Sequence, residues 1–129
     1  MIRIAMPKSF EQIAPLFPEE NSKKYLYMAA FDDGDILAVA QFIYHQEIVD
    51  VLSIRFAEKE VNAAIIDGLI RTVLFQTADA GCTACRFFNM PENLKPYFYG
   101  HQFKKVEDYL WHNEYIDEFF KPCPGCAHG

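Results

Sequence analysis

A chain of 129 residues, 51% of them apolar, carries enough hydrophobic side chain for one well-buried core and too little length for a second folded domain. Its formal net charge of -6 argues against a nucleic-acid partner, whose binding rests on clustered Lys and Arg, and favours cationic amines or a neutral partner. The N-terminal Met1-Ile-Arg-Ile-Ala-Met-Pro-Lys8 lacks an apolar signal-peptide core, and no run reaches the roughly 18 apolar residues of a membrane span, so a cytoplasmic protein without a membrane partner is expected.

Ile2 to Ala5 reads as a short strand. Ser9 followed by Gln12 forms an S-x-x-Q capping box, which predicts a helix over Phe10 to Phe17 closed by Pro15 and Pro18. Glu19 to Lys24 is a polar loop. Two β-rich runs, Tyr25 to Phe31 and Ile36 to Tyr44, then flank Asp32-Asp33-Gly34-Asp35, a strong hairpin signal. After the polar break His45-Gln46-Glu47, Ile48 to Phe56 reads as a third strand; its apolar residues fall on both faces, which places it centrally.

From Val61 to Ala80 the period changes to 3.6, with Val61, Ala64, Ile65, Leu69 and Val73 on a wide apolar stripe that predicts a helix of about five turns. Gly81 sits where a left-handed C-cap is expected. Thr83 to Asn89 is the next strand, completing a strand–helix–strand unit whose strands should run parallel. Asn93 reads as the N-cap of a short helix over Leu94 to Gly100, and Phe103 to Trp111 as the last strand. Residues 1–112 form the predicted domain. The tail 113–129 is part of it or packed on it.

The segment Tyr97-Phe-Tyr-Gly-His-Gln-Phe-Lys-Lys-Val-Glu-Asp-Tyr109 resembles the L-Y-E-K-L-G-F-K-x-V-x-x-Y ending of GNAT N-acetyltransferases, and the element order is similar over residues 2 to about 112. The resemblance implies an α/β (α+β) fold: a mixed sheet with an antiparallel N-terminal meander, plus a β-α-β crossover bearing a parallel strand pair. It also implies acyl transfer from acetyl-CoA to a small amine. In that family the loop after the central strand reads Q/R-x-x-G-x-G/A, whose glycines let backbone N–H groups approach the pyrophosphate.

Here that loop reads Ala57-Glu58-Lys59-Glu60-Val61-Asn62, with Glu60 and Asn62 at the glycine positions. Glu58 and Glu60 stand where the pyrophosphate would lie, and each like-charge contact costs about 1 to 4 kcal/mol in surface-like dielectrics. Without a phosphate, the same carboxylates stabilise their own helix through its dipole. The positions offered to the cofactor are Ile54, Arg55, Lys59, Asn62 and Asn93.

The position of the family's general acid is Phe98, which leaves Tyr97 and Tyr99 beside it as candidates, with aromatic packing as the alternative. Candidate bases are Glu47 and Asp50. Asp50 falls among apolar neighbours, where desolvation disfavours the anion, and it reads equally as a structural carboxylate.

Cys123-Pro-Gly-Cys126-Ala-His128 has the shape of a thiolate knuckle for zinc, with Cys82 the preferred fourth ligand and Cys85 turned into the core. Free thiols in a tail and buried core cysteines are the alternative. A competing function is a non-catalytic module whose aromatic-rich C-terminal third packs on a second copy, as a homodimer, or on another partner.

Overall fold

The computed structural model describes residues 1–18, 24–57, 62–101 and 103–112, with Trp111 and His112 described by backbone alone. Glu58, Lys59, Glu60 and Gln102 lie outside the described residues, as does the tail 113–129 with Cys123, Cys126 and His128.

Alternating β-formers make the first half of the chain a meander. Strand β1 (Ile2–Ala5) pairs antiparallel with β2 (Leu26–Asp32), β2 with β3 (Asp35–His45), and β3 with β4 (Ile48–Phe56). The β2–β3 hairpin closes through Asp33 and Gly34 at φ 51° and 92°, the left-handed geometry for which an Asp-Gly pair is suited. Helix α1 (Ala63–Asp79) then carries the chain to β5 (Ala84–Phe88), which lies parallel to β4. Helix α2 (Lys95–Gly100) follows, and β6 (Lys104–Val106) and β7 (Tyr109–His112) finish a seven-stranded sheet of order β1-β2-β3-β4-β5-β7-β6.

The ends of α1 follow its sequence. The Asn62 side chain accepts a hydrogen bond from Ala64 N at 2.7 Å, and Gly81 turns the chain out at φ 105°. The helix buries Ile66, Leu69, Ile70, Val73 and Leu74 in one core with Met28, Phe42, Val51 and Phe87 of the sheet. Each such side chain contributes about 1.5–3 kcal/mol of burial. Gly68 lets the helix sit close: a Cβ there would lie 2.8 Å from Ile4 Cδ1. On the opposite face of the sheet a smaller core gathers Ile13, Phe17, Tyr27, Phe31 and Val39.

Three local expectations give way. The predicted helix over Phe10 to Phe17 shrinks to a single 3₁₀ turn, Phe10–Gln12, because Pro15 has no N–H to continue the ladder. Half of the capping box forms, one residue displaced: Gln12 Oε1 accepts from Lys8 N at 2.7 Å, while the Ser9 side chain makes no cap bond. The single strand expected over Phe103 to Trp111 is a hairpin, since Val106 pairs with Tyr109 and leaves Glu107-Asp108 as a two-residue turn with Glu107 at φ 45°. Asn93 is no N-cap; it lies inside a 3₁₀ turn, Glu92–Leu94, that is capped at Pro91 and runs into α2.

Candidate active site

Strand β4 has two environments along one edge. Its first residues pair with β5, from Ile48 with Ala84 to Val51 with Phe87. Leu52 is then an extra residue, because Gln41 faces Ser53 while Phe42 faces Val51, and this bulge bends the strand. Beyond it the β4–β5 pairing ends, β5 itself stopping at Phe88, and no described strand pairs with that edge of Ser53 to Phe56. Ala57 N donates to the Leu37 carbonyl at 2.9 Å, which makes those two residues a hydrogen-bonded pair with β3. Alternation along an antiparallel ladder therefore turns the backbone N–H and C=O of Ile54 and Phe56 the other way, into the gap. A strand edge whose backbone groups have no partner strand among the described residues is suited to an extended, amide-bearing ligand.

Asp50 and Arg86 are register partners one rung below the point of divergence. Their strand neighbours Val49, Val51, Cys85 and Phe87 all face the α1 core, so both charged side chains project from the opposite face. Arg86 Nε donates to Asp50 Oδ1 at 2.6 Å and Nη2 to Oδ2 at 2.7 Å, a fork-on-carboxylate pair. His45 Nε2 is 3.8 Å from the same carboxylate. The Arg86 guanidinium lies 5.6 Å from the ring centroids of both Phe88 and Tyr109. The Asp50 hydrogen bonds, chiefly, hold Arg86 above its ordinary pKa. Asp50 is thus not the lone desolvated carboxylate expected from its neighbours: a guanidinium neutralises it.

The other expected site residues are dispersed. Glu47 is exposed in the β3–β4 turn, where its carbonyl accepts from Thr83 N and Ala84 N; it lies five positions before the bulge, about 16 Å of strand. Arg55 faces away from the gap, with Nη1 on the Leu16 carbonyl at 2.8 Å and its guanidinium 4.2 Å from the Phe17 ring centroid, so it ties down the N-terminal segment. Asn62 is engaged as the α1 cap, and Asn93 is exposed.

Tyr97 donates to Asp67 Oδ1 at 2.7 Å, and Asp67 also accepts from Arg71, so the phenol ties α2 to α1. Burial first, and then that bond, push the Tyr97 phenol well above the ordinary tyrosine range, which keeps its proton in place. Tyr99 stays exposed on α2.

Cys82 precedes β5 rather than belonging to it, so strand alternation does not separate it from Cys85. Both thiols lie in the α1-facing core, and burial raises the pKa of each. Among the described residues no group of three His, Cys, Asp or Glu side chains is placed to hold a metal ion. A small cavity of about 150 Å³ sits at the end of β5, between Asn89, Lys95, Lys105 and the Glu107-Asp108 turn.

Sequence reasoning missed Arg86. A lone Arg amid Cys-Arg-Phe-Phe, and a lone Asp amid Ile-Val-Asp-Val on a strand expected to lie parallel to it, were the signal.

No protein-family model and no curated protein matches the chain. Solved structures do. The ribosomal-protein-S18-alanine N-acetyltransferase of Escherichia coli superposes with a TM-score of 0.69 at 10% identity, over 86% of this chain and 91% of that one. The chain has the GNAT fold. The PaiA N-acetyltransferase of Thermoplasma acidophilum, solved with coenzyme A, gives a TM-score of 0.64 at 12% identity over 89% and 99% of the two chains. A GNAT family acetyltransferase of Brucella melitensis in complex with acetyl-CoA gives 0.63 at 15% identity over 87% of each. With identities this low the shared property is the fold, and the mixed sheet with its parallel β4–β5 pair is the GNAT arrangement expected from the element order.

Proposed function

We propose that this chain is an acyl-CoA-dependent N-acetyltransferase-type protein that acts on a small amine. The observation that carries the reading is the gap between β4 and β5, with the Ile54 and Phe56 backbone turned into it. Acyl-CoA would supply the activated acyl group. Ile54 and Phe56 would hold the amide-bearing arm by strand-like hydrogen bonds, and catalysis would rest mainly on positioning the amine against the acyl carbon.

Both Asp50 oxygens are engaged by Arg86, so the amine proton passes to water; of the two candidate phenols Tyr97 is held by Asp67, and the exposed Tyr99 is assigned the acid role. In sequence, the segment expected at the pyrophosphate carries Glu58 and Glu60 and no glycine, which disfavours that group. Binding is therefore expected to be weak. A cytoplasmic setting, where thiols stay reduced, goes with the free buried pair Cys82 and Cys85.

A second reading is a GNAT-fold module without the chemistry, its C-terminal third meeting a second copy or another partner. It draws support from the commitment of Asp50 to Arg86 and of Tyr97 to Asp67. Calorimetric titration with acetyl-CoA separates the two. Saturable binding weaker than about 10 μM, followed by acetyl transfer to an amine panel, supports the enzyme; no binding at about 1 mM rejects it in favour of the module.

A further inference from the structure

The Asp50–Arg86 pair has features that a purely structural ion pair does not need. A partly buried pair adds little net stability, because desolvation offsets the attraction. This one stands one rung below the place where β4 and β5 separate, on the face opposite α1. Its two halves are unequally reachable: the Asp50 side chain is 11% exposed and that of Arg86 26%. The charge a ligand meets there is the positive one, in a chain whose net charge is -6.

Arg86 is also pre-set in orientation. Asp50 takes Nε and Nη2, Phe88 and Tyr109 flank the guanidinium, and Tyr109 is its other hydrogen-bonding neighbour. A guanidinium has five N–H donors in a rigid fork, so donors remain for a second anion of planar, bidentate geometry.

We propose that Arg86 reads the acceptor: its outward donors take the carboxylate of the substrate, and the acceptor class is a small amino acid. Resting on the acetyl-transfer reading above, the inference names the substrate of that same site. Arg86 lies one residue before Phe87, the last β5 residue paired with β4, about 3.3 Å of strand. The acceptor expected from this one-rung spacing is an amine separated from its carboxylate by one or two carbons. Asp50 acts as a positioning residue that holds the fork.

The test uses the full chain and matched probes: glycine against ethylamine and β-alanine against propylamine, followed by ligand-observed NMR with and without saturating acetyl-CoA. The expected result is a preference of roughly tenfold or more for the carboxylate-bearing member of each pair, the scale of one charge-assisted bidentate contact. Arg86→Gln alone strands Asp50 and risks unfolding the sheet, so Asp50→Asn with Arg86→Gln is the main variant, with Arg86→Lys beside it. With a cooperative thermal transition retained, the double variant loses the preference and Arg86→Lys keeps part of it. Equal binding within the wild-type pairs, no binding of either amino acid at about 10 mM, or a preference that survives in the double variant overturns the proposal. Binding of acetyl-CoA is read in the same samples: if it is present and the preference is absent, the acceptor assignment fails alone. If acetyl-CoA does not bind, the acetyl-transfer reading itself fails.

Discussion

Tyr97→Phe separates two roles for the phenol that joins α2 to α1. The substitution removes the 2.7 Å bond to Asp67 and leaves Arg71 on that carboxylate. A hydrogen bond to a charged acceptor contributes about 1.5–3 kcal/mol. Asp67 is 37% exposed and can be resolvated, so about 1 kcal/mol is the expected loss, roughly 3–5 °C in Tm for a chain of this length. The pH dependence is the sharper readout.

The folded state holds the phenolic proton more tightly than the unfolded one, so this contribution is fully present below the unfolded pKa of about 10 and falls above it. The slope reaches about 1.4 kcal/mol per pH unit. The phenylalanine variant has nothing to titrate at this position. Urea unfolding of both proteins from pH 8 to pH 11 should therefore show the wild-type advantage of about 1 kcal/mol shrinking to nothing near the alkaline end, with every other titrating group cancelling in the difference. A constant difference across that range would refute the reasoning. If amine acetylation is measurable, the same variant should lose less than about tenfold in rate, whereas a general acid would cost about a hundredfold or more.

Glu60→Gly with Asn62→Gly should strengthen acetyl-CoA binding about fivefold, the effect of removing one surface-screened charge of about 1 kcal/mol, while loss of the Asn62 cap lowers stability by a few tenths of a kcal/mol. Unchanged calorimetric affinity would show that the loop carboxylates do not limit binding. Gly68→Val should destabilise by about 1–3 kcal/mol in urea, because its Cβ meets Ile4 Cδ1 at 2.8 Å and a branched side chain adds more bulk at the α1–β1 contact. Cys82 and Cys85, exposed by 3% and 1%, should resist iodoacetamide at pH 8 in the folded protein and react on unfolding; rapid native alkylation of either, located by peptide mass, would contradict their place in the core.

The fold was legible where one physical signal dominated. The Asp33-Gly34 turn, the 3.6-residue stripe of α1 and the left-handed Gly81 each fix a local conformation that few alternatives satisfy, and together they dictate a meander followed by a crossover. Legibility failed where two signals competed. Ser9 and Gln12 ask for a helix that Pro15 cannot continue, and Glu107-Asp108 carry no glycine to announce a turn, although a charged pair between Val106 and Tyr109 can still adopt one.

The site was less legible, because it is made of relations between strands rather than of residue types. Nothing in Leu52 itself marks a bulge; the extra residue exists only in the register of β3 against β4. Asp50 was visible as a carboxylate in an apolar strand, but its chemistry depends on which β5 residue stands beside it. A shift of one residue in the parallel register would place Cys85 or Phe87 there and leave the charge unpaired. The same dependence explains why Arg55, a cation near the head of the expected cofactor loop, serves the other face: three residues after the bulge its side chain points to Phe17. Where a bulge interrupts a sheet, the residue that moves the backbone decides which neighbouring side chains can meet a ligand, and here Arg86 is a described cation beside the last paired rung.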